Sequence, residues 1–136
     1  MKTEVYEEFG NSVYSYSRKQ AIDDGVLVDV SQMAREAGFT IPVAVTDSVW
    51  IDFINWEESD TKKQTYQDSN GRLLDVLSML RFAIPRNRDT ACVFYKLYIV
   101  PRDGKTKKAK LTQLKAVIGA GDDGQPVITI MLPSED

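Results

Sequence analysis

Three apolar runs follow one another from residue 90 to residue 132, joined by links that are rich in turn-forming residues. The runs cover residues 90–100, 110–119 and 126–132. Apolar side chains occupy both faces of the first run, which is typical of a covered or central strand. Turn-rich links favour antiparallel neighbours. The sequence therefore predicts a three-stranded antiparallel meander over residues 90–132.

One long helix is predicted over residues 71–84. Ser69 or Asn70 can cap its start, and Pro85 ends it. Most of its side chains are apolar, and the polar ones recur every third residue as Arg72, Asp75, Ser78 and Arg81. A helix with so narrow a polar stripe must be covered on most sides, so we expect it to pack on one face of the meander. The fold class is α+β in a single domain, residues 1–136.

The first half of the chain is predicted from shorter signals. Helices are expected over residues 18–24, 32–37 and 47–56, and the short runs 12–17, 26–31 and 39–45 are candidates for additional N-terminal strands. Pro42 argues for an edge or bulge position of the last run. Residues 1–11 are candidates for disorder, and residues 57–70 are polar throughout and predict a long loop.

The predicted core combines one face of each apolar element. Its members are Trp50, Phe53, Leu74, Leu77, Leu80, Tyr95, Leu97, Ile128 and Ile130. Cys92, the single cysteine, opens a strand-like run and is interpreted as a small buried apolar residue.

Composition excludes several classes of chemistry. The chain has no histidine, so the Ser-His-Asp and Cys-His arrangements and most transition-metal sites are ruled out. No catalytic residue, metal site or cofactor is predicted. No stretch resembles a signal peptide or reaches the about eighteen apolar residues of a membrane helix, and a cytoplasmic location is expected.

Aspartate followed by glycine occurs at residues 24–25, 103–104 and 123–124. The last pair lies in GAGDDGQP, whose glycines invite comparison with a phosphate-binding loop. Such a loop needs a Lys-Ser/Thr pair and a following helix, whereas an apolar β run follows here. Turn formation explains all three pairs, and the paired carboxylates Asp122 and Asp123 are interpreted as turn residues rather than catalytic groups.

Charge is unevenly distributed along the chain. Residues 1–60 hold four Lys/Arg against twelve Asp/Glu, whereas residues 61–120 hold thirteen against four. The basic excess includes a hairpin tip whose candidate nucleic-acid-binding residues are Arg102, Lys105, Lys107, Lys108 and Lys110. The tip contains no aromatic residue for base stacking. A solvated turn that keeps the flanking strands soluble is the favoured interpretation, and phosphate binding is the alternative.

A second candidate surface lies near the N-terminus. Tyr14, Ser17 and Arg18 precede or open the first predicted helix, where they could line a pocket for an anionic ligand. This is the one place where a small enzyme based on carboxylates and arginine could be sought.

Three stretches resemble a family of small bacterial proteins of unknown function carried on plasmids, phages and integrating conjugative elements. They are residues 13–50, 71–84 and 119–136, and VPRDGKTKK also matches the family's basic turn between strands. The resemblance implies an accessory protein of mobile elements, sometimes encoded near anti-restriction genes, and it carries over no catalytic residues. Three hypotheses follow: a non-enzymatic binding protein that contacts a host protein to blunt a defence, a nucleic-acid-binding module, and a small enzyme.

Overall fold

The computed structural model describes residues 16–84 and 90–136. The predictions for Tyr14, for residues 1–11 and for most of the run 12–17 lie outside these residues. The helices are α1 (Arg18–Asp23), α2 (Ser31–Glu36), α3 (Asp47–Val49), α4 (Glu58–Lys63) and α5 (Ser69–Ala83), with a π-helical turn at Trp50–Ile54. The strands are β1 (Leu27–Asp29), β2 (Val43–Thr46), β3 (Cys92–Ile99), β4 (Lys110–Ala120) and β5 (Pro126–Met131).

The α+β class is confirmed, with all five strands in one sheet in the order β1-β2-β5-β4-β3. The strands β3, β4 and β5 are antiparallel neighbours, as predicted. They do not form a separate meander, because β2 pairs in parallel with β5 and β1 pairs antiparallel with β2. The two N-terminal strands thus extend the C-terminal three into a mixed sheet.

Helix α5 covers one face of this sheet and contacts β3 most closely. Its buried side chains include Leu73, Val76, Leu77 and Leu80, which recur at helical spacing. The Tyr95 hydroxyl on β3 donates to the Val76 carbonyl at 3.1 Å, and burial raises the pKa of this phenol above its usual value. The predicted packing of this helix against the sheet is confirmed.

The core prediction holds for six of its nine residues. Leu77, Leu80, Tyr95, Leu97, Ile128 and Ile130 are buried. Trp50 and Phe53 are half-buried against the core. The prediction that Leu74 is buried is wrong, since this side chain is 42% exposed. The helix is apolar almost all round, so its buried face could equally be centred on Leu73 as on Leu74. With the buried face centred on Leu73, the neighbouring Arg72 is buried as well, although it belongs to the predicted polar stripe.

Pro42 does not keep the following run at an edge. Strand β2 lies between β1 and β5, and its residues Val43, Ala44 and Val45 are fully buried. Pro42 precedes the first strand residue, so its missing N–H costs no ladder bond, and its carbonyl accepts from Ile128 N–H at 2.9 Å.

Two further elements differ from expectation. The predicted polar loop contains helix α4, which carries acidic residues in its first turn and Lys62 and Lys63 in its last. That distribution complements the helix dipole, and it needs no apolar periodicity. The predicted helix 47–56 is one turn of α3 followed by the π-helical turn, and it ends before Asn55.

Local turn and cap chemistry is confirmed. Ser17 and Gln20 form the predicted capping box of α1. Gly25, Gly104 and Gly124 all have φ between 76° and 81°, which fits the turn interpretation of the three Asp-Gly pairs. Among residues 16–84 and 90–136, no helix is both long and apolar enough to cross a membrane.

Candidate nucleic-acid interface

Residues 101–109, which lie in the link from β3 to β4, are here called the lysine loop. It contains Lys105, Lys107 and Lys108, and Lys110 opens β4 directly after it. Its turn is built on Asp103, whose carboxylate accepts from the backbone N–H of Lys105 at 2.9 Å and of Thr106 at 2.8 Å. The Thr106 hydroxyl donates to the same carboxylate. Hydrogen bonds from Thr106, side chain and backbone, lower the pKa of Asp103 to about 2.

Gln64, which follows the last turn of α4, clamps the lysine loop from inside. Its amide is buried, at 5% exposure, and its Nε2 donates to the carbonyls of Pro101 at 2.7 Å and Thr106 at 2.5 Å. Its Oε1 accepts from Gly104 N–H at 3.0 Å. One side chain therefore satisfies three backbone groups across the loop, which holds the loop in one conformation.

Arg102 secures the same loop from outside. Its Nε donates to Asp60 Oδ2 at 2.9 Å, and one terminal nitrogen lies 3.8 Å from Glu57 Oε2. The other terminal nitrogen donates to the carbonyl of Ile51 at 3.2 Å. The carboxylates of Asp60 and Glu57 thereby neutralise the Arg102 charge. This pairing distinguishes Arg102 from the other predicted phosphate-binding residues.

Arg72 anchors the strand end that leads into the loop. It is only 1% exposed, and one terminal nitrogen donates to the Val100 carbonyl at 2.9 Å. Its guanidinium carbon lies 4.4 Å from the centre of the Trp56 ring, a cation–π contact. Burial, with a smaller effect from Arg102, lowers the pKa of Arg72 to about 10, so it remains charged at neutral pH. Its Nε and second terminal nitrogen have no hydrogen-bond partner in the described part of the chain.

The lysines of the loop point into solvent, and the last turn of α4 carries two more, of which Lys63 lies beside the loop. A Cβ built on Gly104 would lie 4.0 Å from Cδ of Lys63, so the end of α4 adjoins the loop. We call these six the lysine cluster: Lys62, Lys63, Lys105, Lys107, Lys108 and Lys110. All six are exposed, and none forms an ion pair with another described residue. Sequence reasoning missed the two from α4, because nothing in a polar stretch indicates which distant loop it will contact.

The second predicted site is occupied by the protein's own groups. The carboxylate of Asp122 accepts from the backbone N–H of Arg18 at 2.8 Å and of Lys19 at 3.0 Å. The Arg18 guanidinium donates to Thr129 Oγ1 and to the Ile128 carbonyl, and burial lowers its pKa despite the nearby Asp29 and Asp122. These bonds fasten α1 to the sheet through Arg18 and Asp122.

Ser17 lies beside Arg18, and its hydroxyl accepts from the N–H of Gln20 within the capping box. An anion at this helix end would have to displace Asp122. The proposed anion site of Tyr14, Ser17 and Arg18 stays a prediction, since Tyr14 is outside the described residues.

A cavity of about 380 Å³ opens beside α1. Its polar lining includes Asp29, whose carboxylate accepts from the Ser31 hydroxyl at 2.6 Å, and Asp123. Over residues 16–84 and 90–136, no three Cys, Asp or Glu side chains lie close enough together to hold a metal ion. Cys92 is exposed on the opposite edge of the sheet, so its predicted burial is wrong. The lysine cluster is the feature of the described residues with the clearest outward chemistry.

No curated protein matches this chain, and no solved structure matches it either. One family model matches residues 5–136, which include the lysine loop, the Gln64 clamp and the hairpin that holds α1. The match spans nearly the whole length, so the chain belongs to DUF6573, a family of unknown function.

Proposed function

We propose that this protein is a non-enzymatic binding protein that contacts nucleic-acid phosphates through the lysine cluster. The observation that carries the proposal is that three of the six unpaired lysines, Lys105, Lys107 and Lys108, stand on a loop clamped by buried Gln64 and by Arg102. A loop that is already ordered loses little conformational entropy when its cations meet a ligand. A turn that served only solubility would need no such clamp.

The chemistry of the cluster fits the backbone of a nucleic acid rather than its bases. Lysine ammonium groups act as point charges on phosphates, and they carry no base information. The loop has no aromatic side chain on which a base could stack. Binding should therefore be independent of sequence and strongly dependent on salt.

The resemblance to proteins carried on mobile elements supports a cellular setting in which the protein would meet DNA. An accessory protein of a plasmid, phage or integrating element works beside that element's DNA. An anti-defence role through a host protein belongs to the same setting, and it is tested separately by recovery of a host protein on the immobilised chain.

The test is a titration of a fluorescent duplex of about 20 base pairs at several salt concentrations. The parent should bind with micromolar or tighter affinity at low salt, and the triple variant Lys105→Ala/Lys107→Ala/Lys108→Ala should lose that affinity for every duplex sequence alike. The log-log salt slope should flatten by about 0.9 for each phosphate contact removed.

The matched control removes three positive charges elsewhere, at Lys19, Arg35 and Lys115, each changed to Ala. It has the same net charge as the triple variant, and its affinity should stay within about twofold of the parent. No binding by the parent at low salt would overturn the proposal, as would an equal loss in the control. Aggregation of the triple variant without parent binding would favour the solubility interpretation.

A further inference from the structure

Within residues 16–84 and 90–136, strand β3 is an edge strand, and no described strand bonds to its outer side. It is the last strand of the order β1-β2-β5-β4-β3, and its eight residues contain no proline or glycine. The N–H of Ile118 donates to the Ala91 carbonyl at 2.8 Å, and the register pairs Cys92 with Val117. In an antiparallel pair the bonded residues alternate, so the odd-numbered residues of β3 bond to β4. The N–H and C=O groups of Phe94, Lys96 and Tyr98 therefore point outward along the edge.

On the face of the sheet away from α5, this edge also exposes large apolar side chains. Phe94 is 51% exposed and Tyr98 is 68% exposed, and Leu111 of β4 stands beside Tyr98 in the register. Lys96 is the one charged residue among the outward-pointing positions of β3. Long edges without proline, bulges or several charges are templates for pairing with another strand.

We infer that this edge pairs with β3 of a second copy of the chain, antiparallel, about a two-fold axis at Tyr95. In that register Phe94 of each copy lies opposite Lys96 of the other, and Cys92 lies opposite Tyr98. The same surface serves both partners, as an isologous interface requires. The two sheets then join into one continuous sheet across the axis.

The single cation of this edge selects the register, and the symmetric spacing of Phe94 and Lys96 about Tyr95 favours a second copy as the occupant. Opposite Phe94, the Lys96 ammonium meets the negative face of a ring instead of another cation. The same ring already has a cation beside it within one copy, since Lys115 Nζ lies 6.0 Å from its centre. A shift by two residues in one direction places Lys96 against Lys96, which is repulsive. A shift in the other direction leaves Tyr98 opposite Thr90, beyond the start of the strand.

The flank of α5 supports the same pairing. Met79 is partly exposed and lines the shallow depressions on either side of Lys96, together with Tyr95 in one and Leu97 in the other. Its position beside the central residues of β3 puts it near the proposed axis. A flexible thioether adapts to an irregular neighbour, so Met79 can fill the gap between the two helix layers.

The register is tested by a disulfide between Tyr98→Cys and the native Cys92 of the second copy. Residues in such a pair have Cα atoms about 5.5 Å apart, within the range that a disulfide spans. The two positions of one chain are about 20 Å apart along the strand, so they cannot bridge internally. Mild oxidation of Tyr98→Cys should give a covalent dimer on a non-reducing gel.

The matched control is Leu111→Cys, which is as exposed but lies one strand inward, about 10 Å from the same Cys92. It should stay monomeric on the gel, and so should the parent, whose Cys92 faces Tyr98. Equal cross-linking of Tyr98→Cys and Leu111→Cys would overturn the register, as would no cross-linking of either.

The second measurement is sedimentation of the parent over a wide concentration range against Lys96→Pro. Proline at this position removes an outward N–H and leaves the bonds to β4 intact. The parent should dimerise reversibly, whereas Lys96→Pro should remain a monomer with an unchanged circular dichroism spectrum. A parent that stays monomeric at several hundred micromolar overturns the inference, as does a Lys96→Pro variant that still dimerises.

Discussion

Replacement of Gln64 by Ala should destabilise the whole protein through the lysine loop. The side chain makes three well-formed bonds, to the carbonyls of Pro101 and Thr106 and from the N–H of Gly104. Each contributes a net of about 0.5–1.5 kcal/mol, and backbone groups left unpaired in a buried place add to the loss. The expected total is about 2–4 kcal/mol. With a urea m-value of about 2 kcal/mol per molar, the unfolding midpoint should fall by about 1–2 M.

The isosteric control is Gln64→Glu. Its shape is almost unchanged, but at neutral pH it places a carboxylate against two carbonyl oxygens and near the Asp103 carboxylate. It should therefore be at least as destabilising as Ala, and it should recover part of the loss when acid protonates it. Hydrogen exchange at Gly104 should accelerate in Gln64→Ala, which removes the acceptor of its N–H, and less in Gln64→Glu, which retains an accepting oxygen. A loss below about 0.5 kcal/mol for Gln64→Ala, with the Gly104 amide still protected, would refute the clamp.

Other consequences follow from neighbouring pairs of residues. Leu77→Ala should cost about 2–5 kcal/mol in urea unfolding because Leu77 is fully buried, whereas exposed Leu74→Ala should stay within about 0.5 kcal/mol. Asp122→Ala should cost about 1 kcal/mol through the lost cap of α1, and Asp123→Ala, with no such bond among the described residues, should be close to neutral. The pKa of Asp103 is lowered on folding to about 2, so its ionised form stabilises the protein above about pH 4 and that contribution is lost as pH falls through 2. The stability difference between the parent and Asp103→Ala should accordingly shrink between pH 4 and pH 2, and a difference that grew instead would contradict the assignment.

Local signals in the sequence were sufficient for the elements that are stabilised locally. The Asp-Gly turns, the Ser17 capping box and the three C-terminal strands each depend on residues close together in the chain. The parallel pairing of β2 with β5 joins residues about 85 positions apart, and no short pattern encodes such a partner. For the same reason Asp122 was interpreted only as a turn residue, although its carboxylate caps a helix 104 residues away.

The candidate site was predicted only in part, for a related reason. Lys105, Lys107 and Lys108 could be identified from composition, because a run of lysines between two strands must be exposed. Gln64 and Arg72 could not, since glutamine and arginine are exposed in most proteins and nothing nearby marks them as buried. A buried polar side chain is identified by its distant partners, here the carbonyls at the end of β3.

Gln64 and Arg72 are the two buried polar side chains of the described residues, and both hold the same stretch of backbone. Buried polar groups are costly unless they are satisfied; Gln64 is satisfied, whereas Arg72 is only partly satisfied, so the burial of Arg72 carries a cost in stability. That cost is readily explained if the loop must present its cations in a fixed arrangement. The proposed pairing is confined to β3, which ends before the loop begins, so it uses no residue of the lysine cluster. The two surfaces should then respond differently to salt: nucleic-acid binding should weaken steeply, while the largely apolar and backbone pairing of β3 should persist.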